Sequence, residues 1–254
     1  MLSAVATAAL ASWMECGDGT PRASENLYLV TYKRFTYSGR MISDRYALIV
    51  DIVRSRELAD RAAAQQDVER AFGRAGERVP LEVPLWATVG DEFQAVATRL
   101  ADAVWTAGVV RLLLPDGLDV RVGIGRGEIR DVAPGATGVP IQDGSAWWAA
   151  RAAIDEAHER ADTDAPYTRT WYVSSTPDPE ADALLTSQLV LRDRMLDAMT
   201  PAQRAYAGAS ALGQTQAEIA AAHGVTQPAV SQSLRRSGGA AVAASLRLLQ
   251  EVAR

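Results

Sequence analysis

The 254-residue chain has one cysteine, Cys16, one lysine, Lys33, and two histidines, His158 and His223. A lone thiol excludes an internal disulfide framework and a thiolate zinc site. Two histidines leave few ways to build a histidine metal centre or a Ser/His/Asp triad. His223, directly before Gly224, reads as the end of a helix rather than as a ligand. No apolar run reaches the roughly 18 residues that a membrane-spanning helix needs. The opening MLSAVATAALASWMECGDG is alanine-rich but lacks a basic leader region, so it does not read as a signal peptide. A cytoplasmic protein without membrane segments is therefore expected. What the chain does have is apolar substance, 48% by composition, enough for one domain of middling size and a smaller one.

Charge is distributed unevenly. Residues 1–40 carry a net +1, residues 41–182 carry −9 and residues 183–254 carry +3, which together give the chain's −5. A basic C-terminal part beside an acidic middle fits a DNA-reading module joined to a domain that does not itself touch DNA.

That module is sought in Thr215 to Arg236, TQAEIAAAHGVTQPAVSQSLRR. Ile219 and Ala220 face inward on a first helix, Gly224 breaks it where a positive φ is needed, and Val225 closes the turn. Thr226 then caps a second helix, in whose first turn Pro228 is tolerated, with Ala229, Val230 and Leu234 as its buried stripe. The remaining face, Gln227, Ser231, Gln232, Arg235 and Arg236, is polar and suited to base edges and phosphates in a major groove. With Thr226 these are the candidate DNA contacts.

Upstream, residues 1–40 differ from the rest and form a poorly assigned extension. Met41 stands as the expected true initiator, with an extra edge strand at Leu27 to Tyr32 as the competing reading. From 41 to 176 the periodicity predicts a strand at 46–53, a helix at 57–75, a hairpin at 85–97 turning at Gly90-Asp91, and an amphipathic helix at 100–114. A glycine-bearing strand at 119–129, a helix at 145–160 and a last strand at 170–174 follow. The expected fold is α+β, a ferredoxin-like palm with helices on one face of a mainly antiparallel sheet, followed by an all-α helix-turn-helix domain. Residues 177–182 read as a linker, and 183–254 as helices at 183–199, from Thr200-Pro201 to near Gly213, through the helix-turn-helix, and at 240–253. Leu246, Leu249 and Val252 give the last helix an apolar stripe that docks on the bundle or pairs with a second subunit.

Asp51 interrupts an otherwise apolar strand, where an ionised carboxylate needs a positive partner. Asp91 sits at the hairpin tip. If their strands are neighbours, both carboxylates reach one sheet edge and, with the backbone carbonyl of Ile52, form what Mg²⁺ requires when it also holds a triphosphate. Arg54, Ser55 and Arg56 open a helix able to receive phosphates. The alternative reading makes Asp51 a helix cap and Asp91 an ordinary turn residue.

The blocks ALIVDIVRSREL, TVGDEFQAV, VRVGIGRGEI and DGSAWWAARAAI, in that order before a helix-turn-helix, resemble the SatD family from Met41 to Arg254. The first three also resemble the palm of class III and diguanylate (GGDEF) cyclases, which implies metal-holding roles for Asp51 and Asp91 and a transition-state role for Arg151. The resemblance departs from those cyclases at the base end. Ala87 stands where a base-reading Lys is placed, Trp147 replaces the Asn ahead of Arg151, and Ser55-Arg56 replaces the diguanylate Phe-Lys. A nucleotide of unknown base can still be bound, with Trp147 or Trp148 stacking on it. Asp143-Gly144 suggests a fixed turn that caps the helix bearing Arg151.

The first expectation is a homodimeric DNA-binding regulator governed by a cyclase-like domain that binds a nucleotide through Mg²⁺. The second is an enzyme, a divergent nucleotidyl cyclase or small polymerase in which Asp51, Asp91 and Arg151 are catalytic. A third makes the C-terminal helices a protein-binding element on a structural scaffold.

Overall fold

The computed structural model describes residues 44–88, 90–135 and 140–252, all within the compact unit Ile42–Arg254. The expected initiator at Met41 and the strand at Leu27 to Tyr32 lie outside the described residues. The chain is mixed α+β. Its main sheet has five strands in the order β2-β3-β1-β4-β7: β2 (Val83–Ala87), β3 (Glu92–Ala97), β1 (Arg45–Ile52), β4 (Val120–Gly127) and β7 (Thr170–Ser174). Only the β4–β7 pair is parallel. A small antiparallel pair, β5 (Arg130–Ala133) and β6 (Ile141–Asp143), was not foreseen, because each strand is too short to show a period.

Alternation along β1 divides the core in two. Leu48, Val50 and Ile52 face a large cluster that includes α1 (Arg61–Gly76) and α2 (Leu100–Leu113), whereas Ala47 and Ile49 face Ala146, Ala150 and Ile154 of α3 (Ser145–Asp162). The expectation of helices on one face alone is thus corrected: α3 covers the second face. Glycines on β4 permit it. A Cβ on Gly123 would lie 2.4 Å from the carbonyl oxygen of Ala150, and one on Gly125 would lie 2.1 Å from the Ala150 nitrogen. The helix backbone therefore rests directly on the strand.

α2 is not amphipathic as expected but buried on nearly every side, Arg111 included. The sheet covers one side of it. The other side meets α5 (Pro201–Ala211) and α8 (Gly239–Glu251), and Gly208 and Gly108 allow close approach to Leu112 and Leu246 respectively. Helix α4 (Pro179–Asp197) begins inside the segment read as a linker, with Asp178 accepting a hydrogen bond from the Ala181 amide as its cap. It is anchored by Asp193, a fully buried carboxylate that accepts from Arg111 Nη1 at 2.9 Å and from the amides of Arg169 (2.8 Å) and Thr170 (2.6 Å). In α8, Leu246 is buried and Leu249 packs on the core, while Val252, just past its end, is 82% exposed.

Candidate functional site

Strand register assembles the acidic site. Asp51 is paired across β1–β3 with Glu92 and across β1–β4 with Arg121, so the three side chains share the face that α3 covers. On α3, Trp147, Arg151 and His158 are four and seven residues apart and project from one side of the helix. His158 Nε2 lies 2.6 Å from Asp51 Oδ2, and Arg121 Nη1 lies 3.8 Å from the same oxygen. Arg151 grips Glu92 in a fork, Nη1 to Oε2 at 2.7 Å and Nη2 to Oε1 at 2.9 Å. The Glu92 hydrogen bond holds the Arg151 guanidinium above its ordinary pKa, against a smaller desolvation effect and aided by the charges of Glu92, Asp155 and Asp51.

Among the described residues Asp51 Oδ1 is buried without a hydrogen-bond partner, as are Arg121 Nε and Trp147 Nε1. Such orphaned atoms are rare in native interiors. Trp147 meets Trp86 edge to face, with ring centroids 5.8 Å apart, and Trp148 is 64% exposed.

The predicted residues are partly brought together. Asp51 and Arg151 belong to one cluster. Asp91 occupies the turn before β3, one residue from Glu92, and has no ionic or hydrogen-bond partner among the described residues. Ile52 directs its side chain to the opposite core, while the group expected at the site is its backbone carbonyl. Arg54, Ser55 and Arg56 do not open an α-helix: Ser55–Glu57 is a single 3-10 turn, entered through Arg54 at φ 53°, and α1 starts later under an Asp60 cap. Asp51 therefore caps no helix. Arg54 and Arg56 are exposed, Ser55 is buried, and neither arginine has an ion pair among the described residues. The cap of α3 expected from the Asp143-Gly144 turn falls on Gly144 rather than on the Asp143 side chain. Gly144 holds that position at φ 144°, where a Cβ would lie 2.1 Å from the Glu128 carbonyl oxygen, while Asp143 Oδ1 accepts from the Gly144 amide at 2.7 Å.

Sequence reasoning missed Glu92, Arg121, His158 and Trp86. His158 was findable, since it falls seven residues after Arg151 on a predicted helix. Glu92 was not, because which of two adjacent acidic residues faces Asp51 depends on register.

As a metal site the cluster is spare. Among the described residues no three His, Cys, Asp or Glu side chains gather closely enough to hold a metal ion. Mg²⁺ does not need three, since it is commonly held by one or two carboxylates with phosphates and water. The two carboxylates that strand register sets side by side are Asp51 and Glu92, with Asp91 one residue outside the pair.

A second surface lies on α6 (Gln216–His223) and α7 (Gln227–Arg236). Gly224 ends α6 at φ 64°, and Thr226 caps α7. Val230 and Leu234 are buried at 0% and 2% exposure. Thr226, Gln227, Gln232, Arg235 and Arg236 are exposed and Ser231 is half-buried. Ala229 is exposed, not part of the buried stripe, because it precedes Val230 on a helix that is covered along one narrow side only. Gln227 Nε2 donates to Gln216 Oε1 at 2.7 Å and ties the helices together.

These features define a mixed α+β protein with a charged site between a sheet and the helix laid over it. The SatD family model matches residues 45–199, and the chain belongs to the SatD family. No curated protein matches the sequence. Among the described residues no helix is long and apolar enough to cross a membrane.

Proposed function

We propose that this protein is a DNA-binding transcriptional regulator whose sheet domain is a ferredoxin-like, cyclase-type palm that binds a nucleotide with Mg²⁺. The observation that carries the reading is the α6–α7 pair, read as a helix-turn-helix. Two short helices joined through a left-handed glycine bury Val230 and Leu234 and leave Gln227, Gln232, Arg235 and Arg236 in solvent. The palm assignment is supported by the order β1-α1-β2-β3-α2-β4 with β1 and β3 central. Nucleotide binding is supported by the free Asp51 oxygen, Asp91, and the unpaired Arg54 and Arg56 at the end of β1. Asp51 and Asp91 would hold the ion, which when bound neutralises phosphate charge, while Trp147 and Trp148 offer stacking surface.

One recognition helix gives little specificity, so the proposal includes a homodimer. Leu184 and Leu191 on α4 and Leu248 on α8, each exposed by more than 60%, supply apolar surface for a second copy. Gel shifts on DNA upstream of its own gene test the groove assignment. Gln232→Ala with Arg235→Ala should weaken binding, and Arg236→Ala should lower the salt slope by about 1. Binding and slope left untouched by all three changes would remove α7 from the groove.

A second reading, a divergent nucleotidyl cyclase or small polymerase, is favoured by Arg151, whose guanidinium stands beside Glu92 and within reach of Asp51's field. Weighing against it are Trp147 and Ala87, which take the places of base-handling and ribose-handling groups. Incubation with each nucleoside triphosphate and Mg²⁺ or Mn²⁺, followed by mass analysis, separates the two. A product that disappears in Asp91→Asn would make the enzyme reading the better one.

A further inference from the structure

Away from the acidic site, a cleft of about 380 Å³ opens between the end of α2 and helices α5 and α6. Its apolar lining is formed by Leu113, Ala209 and Ala222, and Arg74 and Arg204 bring two guanidinium groups to it. Neither arginine has an ion pair among the described residues. The Nε atom of Arg204 is buried and has no hydrogen-bond partner among the described residues. That atom is out of reach of solvent and ligand, so the donors available to an oxyanion are the terminal guanidinium nitrogens of the half-buried Arg204. The N-terminus of α5, starting at Pro201, also lines the cleft and adds the positive end of a helix dipole. His223, edge-on to Tyr206 with centroids 4.9 Å apart, closes one wall. Asp116 is the one lining residue of opposite charge, and it too has no ion pair among the described residues.

We propose that this cleft binds a small organic anion, with a phosphate or carboxylate head at Arg74 and Arg204 and a short apolar body against Leu113, Ala209 and Ala222. The volume lies within the range of small-molecule sites, and forked guanidinium groups suit planar or tetrahedral oxyanions. Because the walls come from α2 on one side and from α5 and α6 on the other, an occupant braces α6 against the sheet layer. This site shares no residue with the acidic cluster or with the proposed DNA contacts of α7.

Calorimetric titration of the full chain with phenyl phosphate and with benzoate tests it. At least one of these probes should bind saturably at millimolar concentration, and Arg74→Gln and Arg204→Gln should each weaken that binding by at least about tenfold. Arg247→Gln, an exposed substitution on α8 outside the cleft, should leave it unchanged. Arg74 is exposed on α1, so its variant keeps the test decisive even if Arg204→Gln folds poorly. Bound probe should also slow amide exchange in α6. Absence of saturable binding, or equal weakening by Arg247→Gln, overturns the assignment.

Discussion

Arg111 and Asp193 meet in the interior at 2.9 Å, one from a helix beneath the sheet and the other from the helix that leads into the C-terminal part of the chain. The separation of 82 residues makes this contact a tie between the two parts of the fold. Arg111 also forks onto Asp119, with both bonds at 2.9 Å, and Asp193 takes amide hydrogens ahead of β7, so a change to either residue leaves several buried groups unpartnered.

Arg111→Met is accordingly expected to destabilise by about 3–5 kcal/mol, because it strands buried carboxylates rather than merely removing an attraction. Urea unfolding followed by circular dichroism measures this. A loss below about 1 kcal/mol would mean that water reaches the pair.

Asp119 makes the same network sensitive to acid. Burial by itself would raise its pKa, but Arg111, by charge and hydrogen bond, and Arg169 overcome that and hold it below the usual carboxylate value. A carboxyl depressed on folding stabilises fully above its unfolded pKa of about 3.9, and that stabilisation is lost as pH falls through the lower folded value. Wild type and Asp119→Asn should differ most in stability near neutrality and converge in strong acid. Parallel curves from neutrality into the acid range would exclude Asp119 as the source.

Gly125→Ala should cost at least about 3 kcal/mol, the upper end for overpacking, since the added carbon would fall 2.1 Å from backbone of α3 that cannot rotate away. Gly73→Ala, within α1 and with open space around the added carbon, should instead gain about 0.5–1 kcal/mol. Thermal melts of the two variants against wild type should move in opposite directions.

Asp51→Asn and Asp91→Asn should separate structure from binding. The first removes the charge that faces His158 and leaves the buried Arg121 cation without its counter-ion, for a loss of about 1–3 kcal/mol. The second touches no partner among the described residues and should stay within about 0.5 kcal/mol of wild type, while the proposed nucleotide site requires that it lower Mg²⁺-dependent nucleotide affinity. Fluorescent nucleotide titration beside thermal melts reads both, and unchanged nucleotide affinity in Asp91→Asn would remove it from the site.

Much of the layout was legible from local signals. The apolar run at β1, the Thr200-Pro201 and Thr226 caps and the Gly224 break emerge where the residues predict them, because strand period, capping and φ preference act over a few neighbours. The last strand lies at Thr170–Ser174, as read. Arg54 shows the limit of such reading: the helix expected after Asp51 begins only at Arg61, since a left-handed residue and a 3-10 turn come first.

The chain's local patterns determined by themselves the five main strands and the long helices, though not the short β5–β6 pair, and that Asp51 needs a compensating charge in an apolar strand. Only the tertiary arrangement decided that Asp51 meets the Arg121 guanidinium and the His158 ring, that Glu92 rather than Asp91 stands across from Asp51, that α3 covers the second sheet face, and that α2 is enclosed on both sides. Periodicity is a property of residues a few places apart. Register, helix placement and buried ion pairs join residues such as Asp51 and His158, 107 positions apart, whose meeting is set by how whole elements pack.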